Sequence, residues 1–215
     1  MVSSGLMRPS LPDVVTSHRL RLSLVTPEDA AGMIAGRRRQ SWHRDYPRKD
    51  DQDAATMVKA DDPDATWGPR HIVRSFDGLV VGSIGFFGGP LPGPDEEPEV
   101  EVGFGLVEEA RGNGAVREAL GALLEETDRA GVRVRASVLP DNRASLRTLA
   151  VCGFTHLRGS TEDGELVMVR PLWPGSTGGR RRERRQVGVL ARRREGRLEA
   201  FRATATQPAR PHGEA

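Results

Sequence analysis

Apolar residues repeat along this chain at two periods, and the switches between them outline one mixed domain. In RLRLSLV (19–25), Leu and Val fall at every second position, as in a strand with one buried face. Thr26 then opens T-P-E-D: an N-cap residue, a proline at the first helical position and an acid three residues on. A helix is predicted over 27–35. The segment from Gly36 to Arg70 is polar and irregular, with a second short helix expected over 52–59. HIVRSF, the Asp77-Gly78 turn and LVVGSIGFF form the strongest hairpin signal in the chain. After a Gly/Pro loop (88–98) comes a strand over 99–107. Ala115, Val116, Ala119, Leu120, Leu123 and Leu124 form one stripe at helical spacing, and Gly131 ends that helix. VRVRASVL (132–139) reads as a strand. Asn142 starts a short helix over 143–151 that ends at Cys152-Gly153-Phe154, and ELVMVRPL (165–172) is a last strand. The order β-α-α-β-β-β-α-β-α-β predicts an α/β (α+β) domain, a mixed sheet with helices packed on it.

Composition changes this picture mainly at the ends. Hydrophobic residues are 37% and charged residues 29%, values of a soluble globular chain with solvated segments. We divide it into a flexible leader (1–17), the domain (18–173) and a tail (174–215). The tail carries 11 Arg against 4 Glu, or +7, so the net charge of +2 leaves the remainder at −5 (2 − 7). With few large apolar residues, it is expected to be mostly disordered. Its one candidate partner is nucleic acid, held non-specifically through phosphates and released by salt. No apolar run is long enough for a membrane span, and the N-terminus lacks the layout of a signal peptide, so a cytoplasmic protein with no membrane partner is expected. A lone Cys152 excludes an internal disulfide and zinc sites of the usual Cys/His spacing, and no metal is expected.

The candidate chemistry lies in Arg111-Gly112-Asn113-Gly114-Ala115-Val116, between the strand EVEVGFGLV and the long helix. The first amides of a helix have no internal partner and sit at the positive end of its dipole, so a glycine turn there suits a phosphate. A P-loop is excluded because no Gly-Lys-Ser/Thr follows, and a dinucleotide fingerprint would need a third glycine. Taken alone, the glycine pair fits a ligand-free strand-to-helix turn equally well.

With its neighbours, the turn says more. E-V-G-F-G-L-V precedes it and P-D-N-R-A-S-L-R-T-L-A-V-C-G-F follows the next strand. In this order the two motifs resemble the GNAT superfamily of N-acetyltransferases, in particular the branch of ribosomal-protein N-terminal acetyltransferases and related bacterial enzymes. The resemblance spans 18–173 and implies a mostly antiparallel GNAT-type sheet, acetyl-CoA as co-substrate and a primary amine as acceptor, either a protein N-terminus or a small molecule. It implies that Arg111, Gly112, Asn113, Gly114 and Ala115 cradle the pyrophosphate, with Val116 where the family has Gly or Ala. It also implies that the pantetheine arm lies beside the preceding strand, with the amide of Leu106 or Val107 near the thioester oxygen. Asn142 is expected on the same arm, although its role as N-cap explains it as well. The general base is expected to be Glu101, with Glu99 second. A tyrosine that serves many relatives as acid is replaced by Leu149, which leaves Ser145 or water to protonate the thiolate. Trp42, His43, Tyr46 and Phe87 are expected to wall the acceptor pocket, in a monomer or homodimer.

The competing reading is a non-catalytic module that binds CoA or a partner protein. Removing residues 174–215 is expected to leave the fold intact, with a melting temperature unchanged to within about 2 °C in a thermal scan.

Overall fold

The computed structural model describes residues 9–172. Its strands are β1 (Val14–Thr16), β2 (Leu20–Leu24), β3 (Pro69–Arg74), β4 (Val80–Phe86), β5 (Leu91–Pro92), β6 (Pro98–Leu106), β7 (Arg133–Val138), β8 (His156–Ser160) and β9 (Leu166–Arg170). The helices are α1 (Pro27–Ile34), α2 (Lys49–Ala55), α3 (Ala115–Ala130) and α4 (Arg143–Val151). The strands form one sheet in the order β1-β2-β3-β4-β6-β7-β9-β8, with β5 against β6. Every pairing is antiparallel except that of β6 with β7.

The local signals act as their chemistry requires. Thr26 Oγ1 accepts the Asp29 N–H at 3.0 Å and starts α1 with Pro27 in its first turn. α3 buries Ala119, Leu120, Leu123 and Leu124, the stripe of its helical period, and Gly131 closes it in the left-handed region at φ 66°. On β3, His71 faces α1 and the segment after it: its Nε2 lies 3.5 Å from Asp29, and the Tyr46 hydroxyl meets its Nδ1 at 2.8 Å. Its register partner Ser83 donates to Asp51 on α2. Alternation then turns Ile72 and its neighbour Leu22, both fully buried, to the opposite face, which α3 covers. The core thus has two layers, one on each side of the sheet.

Four elements differ from expectation, the shortest being β5, which pairs Leu91 and Pro92 with β6 inside the expected Gly/Pro loop. Order reaches back into the leader: β1 pairs with β2, and Leu11 and Val15 are buried. Three residues are too few to show a period. α2 starts at Lys49, not Gln52, because the Asp51 carboxylate reaches back to the Arg48 backbone N–H (2.8 Å) and to its Nε (2.9 Å). This cap-to-N3 grip fixes the first turn without a Ser, Thr or Asn at the cap. β8 was not foreseen, since HLRGS is exposed along its whole length and has no buried face to show a pattern. The arginine-rich tail lies outside the described residues. Among the described residues, no helix is long and apolar enough to cross a membrane.

Candidate active site

The site begins where β6 and β7 part. They pair in parallel only over Glu99↔Arg133, Val100↔Val134 and Glu101↔Arg135. Beyond that point β6 stays bonded to β4, from Val102↔Phe86 to Leu106↔Gly82, while β7 turns to β9. A cleft of about 210 Å³ fills the gap, walled by Val102, Gly103 and Phe104 on one side and by Ala136, Ser137 and Val138 on the other.

The closed end of the gap is clamped by charge. Glu99, 7% exposed, accepts from Arg133 Nε at 2.8 Å and from both Arg158 Nη atoms at 2.8 and 2.7 Å. Arg135 Nη2 lies 3.0 Å from Glu101 Oε2. Burial works to raise the Glu99 pKa, but the hydrogen bonds from Arg158 and Arg133 outweigh it and hold the carboxyl below the usual range.

Hydrogen-bond alternation decides which amides the gap receives. Phe87 N–H donates to Glu101 O, and Val107 N–H donates to Val81 O at 2.9 Å, so odd-numbered residues of β6 bond β4. The amides of Phe104 and Leu106 therefore face the open side. Leu106 O points the same way and accepts from Arg111 Nε at 3.1 Å. Of the two amides expected near a thioester oxygen, Leu106 is on the gap. Val107 is not, because its N–H is spent inside the sheet.

The open end of the gap leads to the glycine turn. Gly112 (φ 80°) and Gly114 (φ 79°) are both left-handed, and a Cβ on Gly112 would meet nothing within 4 Å. Gly114 caps α3, and Asn113 Oδ1 accepts the Ala115 N–H at 3.1 Å. The amides of Val116 and Arg117 follow in the first turn, where a helix supplies no carbonyl for them. Glu118 braces this end by accepting from Ser17 Oγ (2.7 Å) and from the N–H and Nε of Arg19 (2.6 and 2.7 Å). A cavity of about 500 Å³ lies between the turn and α4, with Arg48, Arg111, Arg117 and Arg147 around it against the single acid Asp50. A bare backbone turn, helix-end amides and four guanidiniums fit a diphosphate.

Asn142 and Ser145 line both the cleft and this cavity. Asn142 Oδ1 accepts the Ser145 N–H at 3.1 Å, so the N-cap of α4 is also a wall of the site. Leu149 is buried and lines the cleft. Val116 borders the phosphate cavity while packing on the core. Cys152 sits behind α3, its thiol pushed up by burial.

Other expected residues lie elsewhere. Glu99 belongs to the clamp and does not line the cleft. Trp42 and Tyr46 are core side chains stacked edge to face at 5.5 Å. His43 is buried, accepts the Asp45 N–H on Nδ1 at 3.1 Å and meets Glu109 from Nε2 at 3.0 Å. None of these three borders the cleft or the phosphate cavity; of the proposed acceptor wall only Phe87 does.

Sequence reasoning missed α2's contribution. Arg48 is gripped by Asp51 and lies flat over Gly105, where any Cβ would collide with its guanidinium. Asp50 lines both spaces, its carboxyl raised by burial and partly offset by Arg48. Glu165, just ahead of β9, is a further carboxylate on the cleft wall. The only local signal was the Arg48–Asp51 spacing, which a polar segment does not distinguish from chance.

A split parallel pair aimed at an anion-binding helix end defines a class of acyl-CoA-using transferases. The family model of the acetyltransferase (GNAT) domain matches residues 19–155, and the chain belongs to this family. It is an acetyl-CoA-dependent N-acetyltransferase that transfers the acetyl group to an amine. Among solved structures, an acetyltransferase from Agrobacterium tumefaciens is 20% identical with TM-score 0.54, covering 79% of this chain and 99% of its own. Mycobacterium smegmatis RimJ in complex with CoA-disulfide is 22% identical with TM-score 0.52, covering 76% and 89%. The ribosomal-protein-S5-alanine acetyltransferase of Vibrio fischeri is 14% identical with TM-score 0.52, covering 75% and 97%. At these identities the likeness is one of fold. No curated protein matches the chain.

Two outcomes test this geometry. Gly112→Ala places a methyl in the open space above the turn and should raise the acetyl-CoA Kd at least tenfold by calorimetry. The left-handed strain should cost only about 1–2 kcal/mol of stability. For Glu99, the folded pKa lies below the unfolded value of about 4.3, so its stabilisation is complete above that pH and is lost as pH falls through the folded value. Glu99→Gln should therefore cost about 3 kcal/mol at pH 7 in urea denaturation and flatten the acid limb of the stability curve.

Proposed function

We infer that the glycine turn holds the diphosphate of acetyl-CoA and that the parted strands align its thioester for attack by a primary amine. The observation that carries this reading is the separation of β6 from β7 directly beyond Glu101↔Arg135, with the gap running to the first turn of α3.

Roles follow from position. The Val116 and Arg117 amides and Arg111 receive the phosphates. The Leu106 N–H, on the open edge of β6, donates to the thioester oxygen and to the oxyanion that replaces it. Glu101, buried at the apex of the gap, takes a proton from the acceptor ammonium, directly or through water. The freed amine attacks the acetyl carbon, and the tetrahedral intermediate collapses as the C–S bond breaks. Ser145 Oγ relays the second proton, accepting it from the attacking nitrogen as it passes its own to the sulfur. A thiol pKa near ~8.5 makes this last step helpful, not obligatory, which fits a buried leucine at position 149.

The acceptor is a protein N-terminus or a small-molecule amine. The RimJ and S5-alanine neighbours support the first, and the small cleft, about 210 Å³, supports the second. A cytoplasmic setting agrees with the supply of acetyl-CoA there.

Thiol release with a panel of amines tests the assignment. Glu101→Gln should lower kcat at least a hundredfold with acetyl-CoA affinity kept, and Ser145→Ala should lower it less than about tenfold. Wild-type activity surviving in Glu101→Gln would remove Glu101 from the mechanism, and absence of any heat with millimolar acetyl-CoA would remove the turn.

A further inference from the structure

A third cavity adjoins the cleft on the side away from the phosphates. It measures about 390 Å³, within the ~300–1,000 Å³ range of small-molecule pockets. It lies where the end of β2, the start of β3 and the end of β4 meet the loop after α2. It shares Met57, Pro69, Phe86 and Phe87 with the cleft and none of its walls with the phosphate cavity. The three spaces therefore follow one another, with the cleft in the middle.

We propose that this chamber receives the body of the acceptor, and that it selects primary amines carried on an apolar stem with no negative charge at the far end. The inference rests on the acetyltransferase reading above. If the acyl donor fills the phosphate cavity and reaches the cleft, this chamber adjoins the cleft from the other side.

Its lining sets the chemistry. Leu24, Val25, Val58 and Phe86 join Met57 and Phe87 as the apolar part of its lining. Such a lining rewards each methylene it takes out of water and distinguishes chain lengths, because binding energy grows with buried apolar area. Asp13, Asp62 and Asp64 border the space against one ammonium, Lys59. This excess of carboxylate attracts an entering ammonium and repels a carboxylate-ended molecule such as a free ω-amino acid. Asp62 is held in place, since its Oδ1 accepts the Asp64 N–H at 2.9 Å.

The test compares hexylamine, propylamine and 6-aminohexanoate as acceptors for the whole protein with acetyl-CoA, read as thiol release. Hexylamine should exceed each of the others at least tenfold in kcat/KM. Ala60→Trp, at an exposed position of the loop after α2, and Ala65→Trp, at the exposed start of the 3-10 turn that follows it, each place a large ring at the chamber. Either should collapse the hexylamine-to-propylamine ratio towards one, through KM, while the calorimetric affinity for acetyl-CoA stays within twofold. Equal use of hexylamine and propylamine, a ratio unmoved in both variants, or no turnover by a protein that binds acetyl-CoA would each overturn the chamber assignment and leave the donor site standing. Failure to bind acetyl-CoA would overturn the donor site, and the chamber's role with it.

Discussion

Everything at this site depends on a parallel strand pair that is joined for three residues and then parts. Parallel pairing would ordinarily run the length of both strands and leave no edge exposed. Here Glu99 and Glu101 on β6 face Arg133 and Arg135 on β7 across the joined segment, and Arg158 adds a third guanidinium to Glu99. Pairs this well bonded withstand burial because each desolvated charge has its partner in reach. They define the point beyond which the backbone of β6 keeps only one neighbour. The unused edge of that backbone, at Phe104 and Leu106, is the surface against which an acyl-CoA can be aligned.

The remaining elements serve to hold that opening at a fixed width. Glu118 ties the mouth of α3 to the turn between β1 and β2, so the first turn of the helix does not fray. From the other face, Asp51 gathers Arg48 and Ser83 and lays a guanidinium over β6 at Gly105. The N-cap of α4 lines the same passage. A cationic entrance, an apex with buried carboxylate and an apolar chamber beyond it then form one path, along which charge falls from positive to negative.

Much of this was legible in the chain. Two left-handed glycines ahead of an amphipathic stripe identified the helix mouth, and Asn142 three residues before Ser145 identified the second cap, because turns and caps depend on consecutive residues. The alternation of Glu99 and Glu101 showed that they share a face. It did not show that one closes the clamp and the other stands at the apex. The aromatic cluster at Trp42, His43 and Tyr46 read as a pocket wall and proved to be core, since rings in a polar segment look alike whether they line a cavity or fill one.

The sequence by itself determined the strands and helices with a regular period, the glycine turn ahead of α3 and the family. It did so because side-chain period and backbone conformation are properties of neighbours along the chain. Tertiary structure alone decided that Leu106 and not Val107 presents its amide to the gap, since that follows from the register with β4. It alone decided that Arg48 and Asp50, from a stretch with no pattern, stand over the cleft. It also decided that a third cavity opens behind Phe87, where the stretches around Val25, Ala60 and Phe87 come together and no local rule reports the space left between them.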